Sequence, residues 1–366
     1  MAMTTKNDEH KFFNPNLNTL EPYVPGKQIN DSEYLKLNTN ENPFGPSPRV
    51  KETIVKFLEN SASLLRLYPE PESDSLREVI AERFAIKSDQ VFIGNGSDEV
   101  LSLCFLTFFA GRGCLTFPEL TYSFYPSIAK LFKIPFSTFQ IKEDFRLDLA
   151  NIDPDSKSVI FPNPNAITGI ALSIDEIDRF VRENPDKLII IDEAYADFSK
   201  GSCIRLINSY SNILVIQTFS KSRGMAGLRV GFCFGRKPLI DGLRTVKNSF
   251  NSYPVDTLAT LAAISATNDD LWFENNIENI VKTRSYFSQE LKKIGFRVLP
   301  SSANFVLVTH PSLEADILRD HLFKNKILVR HFPETRVSNW LRITIGKRED
   351  CDLLLSVLKQ KILRAN

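Results

Sequence analysis

Cysteine and histidine are scarce in this sequence, and neither sign of charge predominates. The five cysteines among 366 residues are scattered and form no Cys-x-x-Cys pair. This pattern favours reduced thiols in a cytoplasmic setting and argues against a disulfide framework or a zinc site. The four histidines show no His-x-x-x-His spacing, so we expect no metal site. The formal net charge is +1, which gives no reason to expect nucleic acid or an anionic membrane as a partner.

Long hydrophobic runs are also absent. The longest apolar stretch, at about residues 100–110, is too short and too interrupted by Ser102 and Thr107 to span a bilayer. Residues 1–13 are polar and lack the apolar core of a signal peptide. We therefore expect an intracellular globular protein. Its length and its 43% of hydrophobic residues favour one large domain and a smaller one.

Apolar runs alternate with helical patterns along most of the chain. Residues 188–191 and 213–216 are continuous apolar runs, typical of strands that are buried on both faces of a mostly parallel sheet. Residues 175–183 have a helical pattern and follow Ser173, a good N-cap residue. This alternation predicts an α/β domain whose mostly parallel central sheet is flanked by helices.

The pattern changes after about residue 255. A long helical segment at residues 258–293 is followed by short strands near residues 304–308 and 341–345, which predicts a smaller α+β domain. The predicted organisation is an N-terminal arm that packs with the small domain (1–45), a large domain (46–255) and the small domain (256–366).

Polar residues follow two of the predicted strands directly. Asp192 comes after the first apolar run, and Lys221 comes shortly after the second. In an open α/β sheet, ligands bind at the carboxyl ends of the strands, so these two side chains could face one pocket. Taken singly, an Asp after a strand is usually a helix cap and a Lys is usually solvated, so both interpretations stay open.

A glycine-containing turn before a helix predicts a phosphate site. Residues 94–99 read Gly-Asn-Gly-Ser-Asp-Glu, and a helix start of this kind presents free backbone N–H groups and a positive dipole end. The turn lacks the third glycine of a Rossmann fingerprint and the Gly-Lys-Ser/Thr of a P-loop, so a simple capped helix is the alternative. Arg229 could add a charge to the same phosphate, or form a surface ion pair.

Several motifs occur in one order along the chain and carry a family resemblance. They are Leu37-x-x-Asn40-Glu41-Asn42-Pro43-x-Gly45, Tyr68-Pro69, Gly96-Ser97-Asp98-Glu99, Asn163-Pro164-Asn165-x-x-Thr168-Gly169, Asp192-Glu193-Ala194-Tyr195 and Ser220-Lys221-(x)7-Arg229-x-Gly231. The chain resembles the fold-type I, class II aminotransferases, and most closely the histidinol-phosphate aminotransferases, from about residue 22 to residue 346. The resemblance implies a fold-type I transferase with pyridoxal 5'-phosphate as its cofactor.

The resemblance also implies roles for three catalytic residues. Lys221 forms a Schiff base with the aldehyde of the cofactor and then acts as general acid and base. Asp192 pairs with the pyridine nitrogen and keeps it protonated, so that the ring can accept electrons. Tyr195 donates a hydrogen bond to the phenolic oxygen of the ring.

Further cofactor contacts follow from the same resemblance. The phosphate is held by the helix start and nearby side chains, at Gly96, Ser97, Asp98, Ser220 and Arg229. Tyr122 stacks on the pyridine face, although a core aromatic is a nearly equal alternative. Tyr68 reaches the phosphate of the neighbouring subunit in a homodimer with shared active sites.

The chain departs from the family pattern at one segment. Where the family commonly has Asn-Asn-Pro-Thr-Gly, this chain has Asn165-Ala166-Ile167-Thr168-Gly169. The Asn before the usual Pro is thus replaced by Ala166, and the Pro by Ile167. We expect Asn165 to supply the amide to the ring oxygen after a small shift of the backbone.

The expected substrate residues lie at both ends of the chain. Arg342 matches the carboxylate-binding Arg of the family, and an Arg between strand residues is costly to bury without an anion. Arg330 and Tyr23 resemble positions that bind the phosphate of the substrate, and Asn42 and Tyr68 complete the set. Without the resemblance, Arg330 is equally well interpreted as a surface residue.

The resemblance implies a transamination reaction. L-Histidinol phosphate and 2-oxoglutarate give imidazole-acetol phosphate and L-glutamate, a step of histidine biosynthesis. The alternatives are an aromatic amino-acid aminotransferase or a threonine-phosphate decarboxylase of the same fold. A remote alternative is a protein that binds the cofactor without turnover.

Overall fold

A seven-stranded, mostly parallel sheet forms the larger of two sheets. The structure, a computed structural model, describes residues 12–14, 16–17, 20–29, 31–333 and 336–363. The strands of this sheet are β2 (Val91–Asn95), β3 (Leu115–Pro118), β4 (Phe136–Phe139), β5 (Ser158–Pro162), β6 (Leu188–Asp192), β7 (Ile213–Thr218) and β8 (Val230–Gly235). They lie in the order β2-β8-β7-β6-β5-β3-β4, and six of the seven run in one direction, whereas β8, between β2 and β7, runs opposite to them. The predicted α/β fold class is confirmed.

Both faces of the central strands β6 and β7 are buried, as their apolar runs predict. Successive side chains of a strand point to opposite faces. Ile189 and Ile191 pack in the apolar layer on one side of the sheet, whereas Ile190 packs in the layer on the other side. The neighbouring strand β7 divides its side chains in the same way, and every residue of β7 is buried. The two strands therefore place their polar carboxyl ends at fixed positions.

Helices cover this sheet and continue through the rest of the chain. They are α1 (Pro48–Ser61), α2 (Asp74–Arg83), α3 (Gly96–Phe108), α4 (Phe124–Leu131), α5 (Ile174–Glu183), α6 (Lys237–Phe250), α7 (Thr257–Thr267), α8 (Asp270–Lys293), α9 (Ala315–Lys324) and α10 (Arg348–Leu363). Helix α5 confirms the predicted start, because the hydroxyl of Ser173 accepts from the backbone N–H of Glu176 and the Glu176 side chain bonds back.

The long helix predicted at residues 258–293 is wrong, because two helices occupy that stretch. Helix α7 ends at Thr267, and the side chain of Asp269 accepts from the backbone N–H of Trp272 to cap the start of α8. The Ala residues of α7 pack in the apolar cluster of the larger sheet. Residues of α8 such as Phe287 pack instead with the smaller sheet, so the break lets the chain pass from one core to the other.

The smaller sheet joins distant parts of the chain. Its strands are β1 (Leu35–Leu37), β9 (Arg297–Val298), β10 (Phe305–Thr309), β11 (Ile327–His331) and β12 (Leu341–Thr344). Their order is β1-β11-β12-β10-β9, with β1 parallel to β11 and the other pairs antiparallel. Strand β1 thereby carries residues 38–42, which follow it, towards the end of the larger sheet.

Part of the predicted N-terminal arm runs along α4. The backbone carbonyl of Glu21 accepts a hydrogen bond of 3.1 Å from the hydroxyl of Ser127, and the Glu21 carboxylate pairs with Lys130. Residues 1–11, 15, 18–19 and 30 of the arm, and the last residues, 364–366, of the predicted small domain, lie outside the described residues. The domain boundaries at residues 45 and 255 stay predictions. Within the described part, none of the helices has the length and apolarity needed to cross a membrane.

Candidate active site

A cavity of about 230 Å³ opens at the carboxyl ends of β6 and β7, against the smaller sheet. It brings together eleven of the residues singled out from the sequence: Tyr23, Ser97, Asp98, Tyr122, Asp192, Tyr195, Ser220, Lys221, Arg229, Arg330 and Arg342. Both sheets and the N-terminal arm therefore contribute to one site. A cleft of this kind at the ends of parallel strands is where ligands of α/β proteins bind.

Lys221 lies three residues beyond the end of β7. Its Nζ donates a hydrogen bond of 3.0 Å to the backbone carbonyl of Thr39, which follows β1. Burial, followed by the positive charge of Arg342, lowers the pKa of the Lys221 amine to about 8. At pH 7 about one tenth of the amine is then unprotonated, far more than for an ordinary lysine, and this is the form that attacks a carbonyl carbon.

Asp192 ends β6 and is held by two donors. Its Oδ1 accepts 3.1 Å from the backbone N–H of Ala194, and its Oδ2 accepts 2.7 Å from the hydroxyl of Tyr125. The residue is 4% exposed, and burial raises the pKa of its carboxyl group to about 6. A buried carboxylate of this kind favours a cationic partner in the cavity.

Tyr125 is a site residue that the sequence did not single out. Its ring lies at the start of α4, fully buried among Phe105, Phe117 and Tyr122. The sequence signal for it is its spacing from Tyr122, since the two tyrosines are three residues apart in Tyr122-Ser123-Phe124-Tyr125. The hydrogen bond from Tyr125 to Asp192 joins residues 67 positions apart in the chain, so local pattern could not reveal it.

The start of α3 forms a positively polarised end of the cavity. Gly96 adopts a positive φ of 77°, and Arg229 lies across the helix start, where its Nη2 pairs with the Asp98 carboxylate at 3.1 Å. A methyl group at Gly231 would overlap the backbone of Gly96 and Ser97, so only glycine lets β8 pass this close. Helix N–H groups together with a guanidinium suit a phosphate.

Tyr122 lines the cavity and is fixed by polar and aromatic contacts. Its hydroxyl donates to Asp98 Oδ1 at 3.0 Å. The ring of Tyr23, from the arm, meets it edge-on, with centroids 5.6 Å apart. Burial, followed by the Asp98 charge, raises the pKa of the Tyr122 hydroxyl, which therefore stays protonated and donates. Asp98 thus orients both Tyr122 and Arg229.

Two arginines line the part of the cavity formed by the smaller sheet. Arg342 on β12 and Arg330 on β11 are register partners in neighbouring antiparallel strands. Arg342 donates to the carbonyls of Ala166 at 2.7 Å and Asn38 at 3.4 Å, while its buried Nε has no hydrogen-bond partner among the described residues. Arg330 donates to the carbonyl of Val24 at 3.0 Å. An unpaired buried guanidinium N–H beside a second arginine indicates an anion-binding site.

Asn165 does not reach the cavity, contrary to the expectation that it supplies an amide to the ring oxygen. It is fully buried, its Nδ2 donates 2.8 Å to the carbonyl of Leu120, and its Oδ1 accepts from the N–H groups of Ile167 and Thr168. The amide is used to shape its own loop. Ala166 and Ile167 line the cavity in its place.

Asn42 and Tyr68 also lie outside the cavity lining. The Nδ2 of Asn42 donates to the carbonyls of Lys221 and Ser222 at 3.0 and 2.9 Å, so both of its protons hold the loop that carries Lys221. Tyr68 is 81% exposed and stacks on the ring of Tyr253, with centroids 4.6 Å apart. Neither residue contacts a ligand site within one chain.

Comparison with known proteins gives relatives along almost the whole chain. A family model described as aminotransferase class I and II matches residues 32–358. A protein named histidinol-phosphate aminotransferase 1 from Bordetella parapertussis is 46% identical over 353 residues, which cover 96% of this chain and 98% of that protein. A histidinol-phosphate aminotransferase from Acinetobacter baumannii is 44% identical over 361 residues, covering 99% of this chain and all of its own.

Solved structures agree with this assignment at the level of the fold. A crystal structure of histidinol-phosphate aminotransferase from Sinorhizobium meliloti, in complex with pyridoxal-5'-phosphate, superposes with a TM-score of 0.87 over the full length of both chains, at 21% identity. The match of the family model and the two relatives at 44 and 46% identity cover most of the chain. The chain therefore belongs to the aminotransferase class I and II family.

Proposed function

We propose that this chain is a pyridoxal-5'-phosphate-dependent aminotransferase that converts L-histidinol phosphate and 2-oxoglutarate into imidazole-acetol phosphate and L-glutamate. The reaction class rests on one observation above all. A single cavity holds the Lys221 amine with its lowered pKa, the buried Asp192 carboxylate and the α3 start. The substrate rests on the names of the relatives at 44 and 46% identity.

The residues of the cavity fit the proposed cofactor. The Asp192 carboxylate suits a protonated pyridine nitrogen, the Lys221 amine suits an aldehyde, and the α3 start with Arg229 suits a phosphate. When bound, pyridoxal phosphate supplies an aldehyde that takes up the amino group and a ring that accepts electrons from the bonds of the substrate carbon. That ring nitrogen would give the Asp192 carboxylate a cationic partner beside the two neutral donors, the Ala194 N–H and the Tyr125 hydroxyl, that hold it among the described residues.

Lys221 is the proposed group that moves protons. Its Nζ takes the proton from the carbon that bears the substrate amine and delivers it to the carbon that receives the amino group. A pKa of about 8 suits this exchange, since the amine can both accept and return a proton near neutral pH. The carbonyl of Thr39, at 3.0 Å, holds Nζ at one place during the exchange.

The two arginines are proposed to bind the anionic end of each substrate. Arg342 and Arg330 together suit the phosphate of L-histidinol phosphate, because two guanidinium groups match a dianion. The same pair serves the distal carboxylate of glutamate in the second half of the exchange. Tyr23 lies at this end too and closes the cavity from the arm.

A homodimer with shared sites completes the proposal. Exposed apolar side chains cluster in sequence around Tyr68, with Leu64, Leu65 and Leu67 each 46–49% exposed. Burial of such side chains against a second copy would remove apolar surface from water. In that dimer, Tyr68 would reach the cofactor phosphate of the neighbouring subunit.

The cytoplasm is the proposed location. All five cysteines lie in the described part of the chain and are free thiols there. Free thiols suit a reducing compartment. If the protein were exported, its precursor would carry a signal peptide that is removed. Mass spectrometry of the natural N-terminus therefore tests this part of the proposal, and a cleaved signal peptide would contradict it.

Steady-state assays with three amine donors test the proposed function. The purified, cofactor-loaded chain is mixed with 2-oxoglutarate and either L-histidinol phosphate, L-phenylalanine or L-threonine phosphate, and both glutamate and carbon dioxide are measured. We expect glutamate from L-histidinol phosphate with a kcat/KM at least about 100-fold above that for phenylalanine, since two charge-assisted contacts distinguish the donors. Carbon dioxide from L-threonine phosphate would instead identify a decarboxylase.

A further inference from the structure

The loop at residues 163–169 brings no amide side chain to the cavity. Asn165 is fully buried and bonded to its own surroundings, and the cavity wall at this loop consists of Ala166 and Ile167. Neither of those side chains can donate a hydrogen bond. Tyr195 is thus the remaining donor that the family resemblance assigns to the phenolic oxygen of the cofactor, so the direction of its proton becomes important.

The hydroxyl of Tyr195 already has a partner on one side. Nδ2 of Asn40 lies 2.9 Å from the Tyr195 hydroxyl oxygen. An amide nitrogen can only donate, so the Tyr195 oxygen accepts this bond and keeps its own proton for another acceptor. Tyr195 is 7% exposed and lines the cavity, so the acceptor that remains is a group bound there.

Thr344 on β12 determines which end of the Asn40 amide faces Tyr195. The backbone N–H of Asn40 donates to Thr344 Oγ1 at 3.0 Å, so the Thr344 proton is free to donate to Asn40 Oδ1 at 3.1 Å. With Oδ1 bonded to that hydroxyl, Nδ2 points to Tyr195. A flipped amide would take this acceptor away from the Thr344 proton and make Nδ2 and the Asn40 N–H both donate to the same hydroxyl oxygen.

Asn40 itself is rigidly held. Its side chain is 1% exposed, its backbone has a positive φ of 57°, and its carbonyl accepts 2.9 Å from Nδ2 of the buried Asn304. A non-glycine residue with positive φ is uncommon, and Asn tolerates it better than most. The strained, buried position indicates that the amide is there for the contact that it makes.

We infer that Asn40 is a positioning residue that turns the proton of the Tyr195 hydroxyl towards the phenolic oxygen of the cofactor, where the 163–169 loop offers no amide. This inference rests on the proposed function. A hydrogen bond donated to that oxygen would stabilise its negative charge, so the bound cofactor would lose the neighbouring proton at a lower pH. Loss of the bond raises the pH at which the cofactor changes its visible absorption.

A double-mutant cycle on the cofactor-loaded chain tests the inference. In Asn40→Asp the side chain keeps its size and tolerates a positive φ, but it only accepts, so the Tyr195 proton turns away from the cofactor. We expect the midpoint of the visible titration to rise by about one pH unit, a tenfold change in proton affinity. Tyr195→Phe should raise the midpoint by a similar amount, and Asn40→Asp should add little to it in the Phe background.

Thr344 supplies a matched pair of variants that leaves Asn40 and Tyr195 unchanged. Thr344→Val removes the hydroxyl that orients the amide, and we expect a smaller rise of the midpoint in the same direction. Thr344→Ser keeps the hydroxyl and should restore the wild-type midpoint. Thermal melting of each variant shows whether it is folded before its titration is read.

The outcomes separate the inference from the function on which it rests. Suppose that the wild-type chain takes up the cofactor. If Asn40→Asp then leaves the midpoint of the visible titration unchanged, or shifts it equally in the wild-type and the Tyr195→Phe backgrounds, the inference alone is overturned. An equal shift in both backgrounds would show only the added charge of the Asp. A wild-type chain that takes up no cofactor would overturn both.

Discussion

Tyr125 and Asp192 are the clearest case of a buried polar pair at the level of single residues. The carboxyl group of Asp192 has a pKa raised to about 6 by burial, and the Tyr125 hydroxyl works against that rise by donating at 2.7 Å. Without this donor the carboxylate loses a partner that stabilises its charge. Tyr125 therefore extends the range of pH over which Asp192 is ionised.

Tyr125→Phe should move the acid limb of the pH profile of kcat/KM to higher pH. Loss of one hydrogen bond to a charged group corresponds to a shift of about one pH unit. The profile is measured between pH 5 and 9, with Phe105→Leu as a control that alters the same apolar layer without touching Asp192. An acid limb that stays in place would show that the hydroxyl does not influence the carboxylate.

Lys221 illustrates what a functional residue costs in stability. Its pKa is lowered to about 8 by burial, so the folded chain binds its proton less well than the unfolded chain, whose Lys has the ordinary value of 10.5. Below pH 8 the amine is charged in both states, and burial of that charge destabilises the fold in full. The penalty declines as the pH rises from about 8 to 10.5, where the folded state is already neutral.

Lys221→Met should therefore stabilise the cofactor-free chain. We expect a gain of about 1–3 kcal/mol in the free energy of unfolding at pH 7, with the gain shrinking above pH 8. Denaturant unfolding of wild type and variant at pH 7 and pH 10 measures it. A variant less stable than wild type at pH 7 would mean that the buried amine is not under electrostatic strain.

Most of the individual site residues could be predicted from the sequence, but the contacts between them could not. Asp192 and Lys221 could be proposed because each follows an apolar run, and the structure brings both to one cavity. The position of the Asn165 side chain could not be predicted, because its amide donates a hydrogen bond to the carbonyl of Leu120, 45 positions away. The hydrogen bond from Asn40 to Tyr195 spans 155 positions and depends on how the two sheets meet.

At the level of elements, the close crossing of β8 and the start of α3 shapes the phosphate end of the cavity. Gly231 sits where a side chain would strike the backbone of Gly96 and Ser97. This crossing places Arg229 over the helix start. The sequence showed both glycines but could not show that they lie against each other.

Gly231→Ala should weaken cofactor binding and destabilise the fold. The added methyl group forces the α3 start and β8 apart, at a cost of about 1–3 kcal/mol. Gly227→Ala is the matched control, because Gly227 is exposed in the same segment and nothing lies within 4 Å of its added methyl group. Dialysis against buffer, followed by measurement of retained cofactor, compares the two. Equal retention in both would mean that the crossing is not tight.

The two buried central strands were predicted more reliably than the helix ends. Strands β6 and β7 appear where the runs at residues 188–191 and 213–216 predicted them, because burial on both faces leaves an unbroken apolar signal. The helix predicted over 258–293 is interrupted, because Asp269 caps a new helix after Thr267. A capping side chain competes with the helix pattern around it, and only packing decides between them.

For the whole molecule, the exposed position of Tyr68 indicates how the proposed dimer operates. Tyr68 stacks on Tyr253 of its own chain and faces outward. If it serves the neighbouring subunit, each cavity depends on two chains. Lys221 and Tyr68 of one chain then belong to different active sites.

Hybrid dimers should recover activity that neither parent has. Lys221→Ala and Tyr68→Ala chains are mixed, dissociated together and reassociated. A dimer with one of each has one cavity with Lys221 from one chain and Tyr68 from the other, so we expect up to about one quarter of wild-type activity from a statistical mixture. Light scattering of the wild type gives the mass in solution. A monomer, or a mixture without recovery, would contradict the shared site.

A single half-reaction tests the proposed chemistry and substrate together. The pyridoxal form of the purified chain is mixed with L-histidinol phosphate in the absence of any 2-oxo acid, and the visible absorption of the cofactor is followed. We predict complete conversion to the pyridoxamine form by the wild type, none by Lys221→Ala, and little with L-phenylalanine. Conversion by phenylalanine alone would contradict the substrate, and a chain without visible absorption would contradict the cofactor itself.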